Sequence, residues 1–290
     1  MAVLIEDSTK VIIQGITGSV GRTFADRISA YGNLLVGGVT PGKNGQKVSG
    51  VEVFDSVKDA VDETGANFSM TVVPKQFVKN AVLEAVDAGI KTVCVYAEGV
   101  PIHEALIFLE YARLKGTRMI GPNAAGIVSS VRGNISDINN NIVRKGRIGV
   151  ISKSGTLTYE LLYLLYKLNL GVSTVTCLGG DMLIGTRPID VLKLFESDPE
   201  TDLVIMLGEL GGRDEIAAAD YLRQMKKPVY AYISGLSVPL GVRMGHAGAL
   251  TSAEKETARY KLEYLRKNGA KVARNIIELS KLVSGDTMLR

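Results

Sequence analysis

The chain has 290 residues, 46% hydrophobic and 22% charged, enough for two domains or one large one around a sizeable core. Its 34 basic and 30 acidic residues leave a formal charge of +4 with no basic run or aromatic-interleaved patch, which argues against nucleic-acid binding. No uninterrupted apolar run approaches the ~18 residues of a membrane span, and Met1 to Lys10 lacks the charged-then-apolar pattern of a leader.

Val11 to Gly15 reads as a buried strand, and Thr17 to Tyr31 has helical spacing. Strands are predicted at Asn33 to Val39, Phe68 to Val73, Thr92 to Tyr96 and Arg118 to Ile120, with helices at Phe77 to Ala88 and His103 to Lys115. This alternation of near-continuous apolar runs and helices predicts a parallel sheet with crossover helices. The rhythm breaks at Val128 to Lys145, which contains Ser129-Ser130 and Asn139-Asn140-Asn141 and reads as a linker. It restarts with strands at Arg147 to Ile151, Val172 to Leu178, Leu203 to Leu207 and Val229 to Ile233. The expected fold is α/β, in units of 1–127 and 146–290 joined by 128–145. Ligands of such sheets bind at the carboxyl ends of the strands.

Gly15-Ile16-Thr17-Gly18-Ser19-Val20-Gly21 follows the first strand and opens the first helix. Its three glycines fit G-x-x-G-x-x-G, which lets the backbone approach a phosphate where helix amides and the dipole favour an anion. The second strand ends in Val39-Thr40-Pro41-Gly42-Lys43, without the acidic residue that NAD domains place on the ribose. A lysine there suits an added phosphate. The 3′-phosphate of coenzyme A and the 2′-phosphate of NADP both fit, and so does an ordinary solvated lysine.

The second half repeats the strand–turn–helix design at Val150 to Leu157, where Ser154, Gly155 and Thr156 offer amides at a helix start without Walker A spacing. Leu207 to Gly212 and Gly179-Gly180-Asp181 each place a carboxylate at a strand end. Met244-Gly245-His246-Ala247-Gly248-Ala249 sets His246 among small residues, where other groups can approach the imidazole closely. Near neutral pH an imidazole can act there as nucleophile or phosphoryl carrier. Glu209 accepting one imidazole N–H would fix the tautomer and free the other nitrogen; Glu209 and Asp181, each alone readable as a helix cap or solvated loop residue, form with His246 and Ser154 a coherent phosphohistidine site. Cys94 and Cys177 sit in apolar strand-like runs without metal-ligand spacing and are expected as buried free thiols in a reducing, cytoplasmic setting; no metal ligand is assigned. His103, two residues after Pro101, is given no role.

Taken in order, Gly15 to Gly21, Gly37 to Lys43, Ala97-Glu98-Gly99, Ile120 to Asn123, Ser152 to Thr158, Gly179 to Asp181, Gly208 to Gly212 and Arg243 to Ala249 resemble the α subunits of succinyl-CoA synthetases. The likeness covers nearly the whole chain. It implies an N-terminal Rossmann-like CoA-binding domain and a flavodoxin-like ligase domain. It implies that His246 is phosphorylated beside Glu209, that Ser154, Gly155 and Thr156 cradle the phosphate, and that Gly15, Thr17, Gly18, Ser19, Val20, Lys43, Pro74 and Glu98 lie near coenzyme A. It also implies a β partner of ATP-grasp fold holding ATP or GTP with Mg2+, and a small carboxylate substrate, succinate first.

Departures from that pattern are local. Ala124-Ala125 stand where the family has Cys-Pro, and Met182 where a proline follows Gly-Gly-Asp, with Arg187 nearby. A Pro-Gly-His-like stretch is replaced within Ser136 to Val143. Leu240 and Val242 replace a proline and a basic residue, and Ser252 to Glu256 replaces a glycine-rich segment. These changes bear on the acid more than on the reaction, so malate, citrate or another small carboxylate is the alternative. A non-catalytic CoA- or dinucleotide-responsive protein and an NADP oxidoreductase are the rivals; neither would take up acid-labile phosphate.

Overall fold

Val11–Gln14 is buried at every residue, as a strand covered by helices on both faces must be. It is β1, at the centre of the first sheet in the computed structural model, which describes residues 3–32 and 34–286. In chain order the first half then runs α1 (Ser19–Tyr31), β2 (Leu35–Val39), β3 (Lys47–Val48), β4 (Val51–Phe54), α2 (Val57–Thr64), β5 (Phe68–Thr71), α3 (Val78–Asp87), β6 (Thr92–Val95), α4 (Ile102–Lys115) and β7 (Arg118–Ile120). The strand order is β3-β4-β2-β1-β5-β6-β7, parallel except for β3. Without the edge strand β3 this is the Rossmann order, and its direction of winding reverses between β1 and β5. Asn33, the first residue of the predicted second strand, lies outside the described residues.

The second half contains β8 (Gly126–Ser129), β9 (Gly133–Ser136), β10 (Lys145–Ser152), α5 (Gly155–Lys167), β11 (Val172–Cys177), α6 (Pro188–Ser197), β12 (Leu203–Glu209), α7 (Asp214–Leu222), β13 (Val229–Ser234), α8 (Ala258–Lys267), β14 (Lys271–Val272) and α9 (Ile276–Ser284). The sheet order is β14-β13-β12-β10-β11-β8-β9. Its five parallel strands follow the flavodoxin-like winding, which reverses between β10 and β12. Apolar clusters cover both faces of each sheet. Among the described residues no helix is long and apolar enough to cross a membrane.

The stretch 128–145 differs from its reading as a linker. It supplies the end of β8, all of β9 and the start of β10, and β8 pairs antiparallel with β11. Ser129, Asn134 and Ser136 of the hairpin are polar yet buried and hydrogen-bonded, whereas Asn139 and Asn141 are exposed, as in a linker. Asn134 Nδ2 donates to the Ile138 carbonyl at 2.8 Å, and Ser129 Oγ accepts the Arg132 amide at 3.2 Å. The hairpin also packs under the first half: Ile127 and Ile135 share a cluster with Phe24, Ala25 and Ile28 of α1. Tyr31 Oη donates to the Ser130 carbonyl at 3.1 Å.

Candidate active site

The reversal point of the second sheet brings the ends of β10 and β12 side by side. Ser152 pairs with Leu207, so Lys153 and Ser154 leave β10 next to Glu209, the last residue of β12. Ser154 caps α5, its side chain accepting the Leu157 amide at 3.3 Å. Helix geometry leaves the amides of Gly155 and Thr156 without intrahelical acceptors, so the start of α5 favours an anion.

His246 arrives from the long 235–257 connection after β13. Its Nδ1 lies 2.7 Å from Glu209 Oε2, and its ring lies flat against Gly180, where an added Cβ would fall 2.4 Å from Cγ and Nδ1. The Gly248 amide donates to the Gly180 carbonyl at 3.0 Å, and Met244 N–H to the Ala249 carbonyl at 2.9 Å, which closes the loop around the histidine. The Glu209 hydrogen bond raises the imidazole above its ordinary value of 6.5; burial opposes this, and Glu98 and Asp181 add to the rise. In the tautomer whose Nδ1–H donates to Glu209, Nε2 keeps the lone pair of a nucleophile.

His246, Gly155 and Thr156 line one cavity of about 520 Å³ together with Tyr96, Glu98, Asn123, Ala125 and Asp137. Burial raises the Asp137 carboxyl, to which Tyr96 Oη donates at 3.3 Å. Burial also raises Asp181, which accepts the Gly99 amide at 3.4 Å. The cavity is therefore walled by both halves of the chain, with α5 and the histidine loop facing the β6–α4 turn.

The residues assigned to the cofactor lie along the carboxyl edge of the first sheet. Gly15 turns the chain out of β1 at φ +87°, and an added Cβ would meet Val73 Cγ1 at 3.2 Å. Gly18 sits at the start of α1, Ser19 and Val20 open the helix, and all three are exposed. Thr17 Oγ1 meets Thr40 Oγ1 at 3.2 Å and ties the first turn to the second. Lys43 is exposed in that second turn, whose backbone is held by Asp55 Oδ1 at 3.0 Å from the Lys43 amide. Pro74 follows β5, and Glu98 follows β6. Of this set Glu98 lines the His246 cavity, while Gly15 to Val20, Lys43 and Pro74 lie farther along the edge, outside its lining.

Residues 6–99 match the model of a CoA binding domain, and residues 151–271 that of a CoA-ligase. The ADP-forming succinate–CoA ligase subunit alpha 2 of Archaeoglobus fulgidus is 46% identical over 284 residues, 98% of this chain and 99% of the relative. The chain belongs to the succinate–CoA ligase α-subunit family. Within the same likeness, a malate–CoA ligase subunit alpha of Methylorubrum extorquens is 43% identical over 278 residues, 94% of either chain. Among solved structures, ATP citrate lyase from Methanothrix soehngenii in complex with citrate and coenzyme A matches with a TM-score of 0.88 over 97% of this chain at 26% identity. This chain spans 50% of that one.

Three charged residues behind the pair of this α-subunit family member were not singled out from sequence: Lys153, Glu215 and Lys261. Two carried a signal. Lys261 stands on the buried stripe Ala258, Lys261, Leu262, Leu265 of α8, and Glu215 leads the stripe Glu215, Ala218, Ala219, Leu222 of α7. A charge on an apolar stripe is buried, and buried charges need partners.

Proposed function

We propose that this α-subunit family member forms succinyl-CoA from succinate, coenzyme A and a nucleoside triphosphate through phosphorylation of His246. The observation that carries this reading is the 2.7 Å contact of His246 Nδ1 with Glu209 Oε2, in a cavity shared with the start of α5. The names of the relatives supply the reaction class.

In this reading Nε2 attacks the γ-phosphorus of a nucleotide held by an ATP-grasp β subunit, an N–P bond forms, and the nucleoside diphosphate leaves. Mg2+ bound with ATP or GTP on that partner would offset phosphate charge. Glu209 stabilises the imidazolium that results, and the amides of Gly155 and Thr156, at the helix start that Ser154 caps, receive the transferred phosphoryl group. A carboxylate oxygen of the acid then attacks phosphorus, the P–N bond breaks, and an acyl phosphate forms. The sulfur of coenzyme A attacks its carbonyl carbon, the C–O bond breaks, and phosphate departs. Gly15, Thr17, Gly18, Ser19, Val20, Lys43, Pro74 and Glu98 hold coenzyme A, with Lys43 on the 3′-phosphate. The exposed turn after β1 and the helix start behind it suit a phosphate. Cys94 and Cys177 are buried free thiols, which suits the reducing cytoplasm.

Malate is the second reading, because a malate–CoA ligase subunit is nearly as similar and Ala124-Ala125, at the cavity, depart from the family's Cys-Pro. The test is to copurify the chain with its β partner, label it with nucleoside triphosphate and magnesium, and discharge the label with different acids and coenzyme A. Acid-labile label lost from His246 on adding succinate is the expected result, and His246→Ala takes up none. Discharge by malate alone moves the substrate. No labelling of the wild type overturns the phosphohistidine mechanism.

A further inference from the structure

Behind the histidine pair lies a compact set of buried charges. Lys153, 6% exposed, leaves β10 with its Nζ 4.0 Å from Glu209 Oε1, 3.6 Å from Asp214 Oδ2 and 4.0 Å from Glu215 Oε1. Lys261 on α8 is fully buried. It donates to the Glu209 carbonyl at 2.8 Å, to Glu215 Oε2 at 2.6 Å and to the Gly211 carbonyl. Glu215 Oε1 accepts the Glu209 amide at 3.3 Å. The main chain of Glu209 is thus gripped at both its N–H and its C=O.

Its side chain is held differently. Oε2 contacts His246, whereas Oε1 is buried with no hydrogen-bonding partner among the described residues. The cation that faces Oε1 is Lys153. Burial works against the Lys153 ammonium, but Glu215, Glu209 and Asp214 outweigh it and hold it above the usual lysine range. Burial would likewise lift the Glu215 carboxyl, and Lys153 and Lys261 hold it below the usual range instead.

We propose that Lys153 is a positioning residue for His246: its buried ammonium offsets part of the negative charge of Glu209, Glu215 and Asp214 and faces the inner oxygen of Glu209 at 4.0 Å. Oε2 is then left to orient the imidazole without drawing a second proton onto it. The charge count supports this. His246 is faced by Glu209 from β12, Glu98 from the β6–α4 turn and Asp181 from the β11–α6 turn, all anionic when ionised. On its own loop, Arg243 Nε donates to the His246 carbonyl at 3.3 Å, on the main-chain side. Without Lys153 the surroundings of the ring would be almost wholly acidic, and a doubly protonated imidazole has no lone pair with which to attack phosphorus. Lys261, tied to carbonyl oxygens and Glu215, secures the backbone and cannot take over the task at Oε1.

The inference rests on the phosphohistidine reading, and its test is separable from it. The chain has two histidines, so histidine-selective NMR of the full chain follows His246 directly, with His246→Ala as the assignment control. Removing a nearby cation makes His246 take up its proton at higher pH. Lys153→Met is expected to raise the His246 midpoint by about one pH unit, the size of one partly screened charge. Lys153→Arg keeps the charge and leaves the midpoint near the wild type. Asp214→Asn, at the more exposed rim of the cluster, removes an anion and lowers the midpoint; it also serves if Lys153→Met does not fold. In the copurified complex, the acid limb of His246 phosphorylation follows the same shifts. Midpoints for folded Lys153→Met that coincide with the wild type overturn the proposal, as does an unshifted Asp214→Asn where Lys153→Met is not folded. A wild type that never labels at His246 instead sinks the phosphohistidine reading, whatever the midpoints do.

Discussion

His246 Nδ1 and Glu209 Oε2 lie 2.7 Å apart although 37 residues separate them in the chain. The contact raises the imidazole above 6.5, so part of the pair's stabilisation comes from the protonated ring. Such a contribution is fully present below the unfolded-state value and fades as pH rises through the raised folded one. Glu209→Gln removes the anion. The His246 midpoint is expected to fall by about one unit, read by NMR titration. The stability gap between wild type and variant in urea should narrow from mildly acid to mildly alkaline pH. A midpoint that stays put would mean the carboxylate does not set the ring's basicity.

Gly180 gives the imidazole its floor. A Cβ built there lies 2.4 Å from two ring atoms, so Gly180→Ala must push the ring aside. Displacements of that order cost reaction rates about 100-fold. The initial rate of His246 labelling should fall by that much while the circular-dichroism melt changes little. Wild-type labelling in this variant would show that the histidine reacts away from Gly180.

Lys261 and Glu215 are both fully buried and in direct contact at 2.6 Å. Replacing one member of such a pair leaves an uncompensated charge, typically at a cost of about 3–5 kcal/mol. Lys261→Met is expected near the lower end of that range, because Lys153 still faces Glu215. Urea denaturation of the full chain measures it, and a loss under about 1 kcal/mol would contradict the burial of an unpaired carboxylate.

Lys43 stands beside the turn that follows β2, on the edge assigned to coenzyme A. Lys43→Glu is expected to weaken coenzyme A about tenfold or more and dephospho-coenzyme A much less, since only the former carries the 3′-phosphate. Calorimetric titration of both ligands decides it. Equal weakening would place Lys43 away from that phosphate.

Much of this arrangement can be read from residue order because buried parallel strands are nearly continuous apolar runs. β1, β11 and β12 are buried throughout, and their ends mark where the functional turns begin. Glu209 and His246 stood out through their glycine-rich surroundings at a strand end and in a loop. The hairpin of β8 and β9 was hidden by its serines and asparagines, whose burial is tolerable only because tertiary partners accept and donate. Lys261 and Glu215 were hidden for a related reason. The i, i+3, i+4, i+7 spacing shows that each faces a core, but no spacing within one helix names a partner on another.

The hairpin has a mechanical consequence. It is hydrogen-bonded into the second sheet through β11 while Ile127 and Ile135 are packed with α1 of the first. The junction between the halves is a shared core, so closing or opening like a jaw would tear apolar contacts apart. The α5 and β6–α4 walls of the His246 cavity are therefore spaced by packing rather than by a hinge.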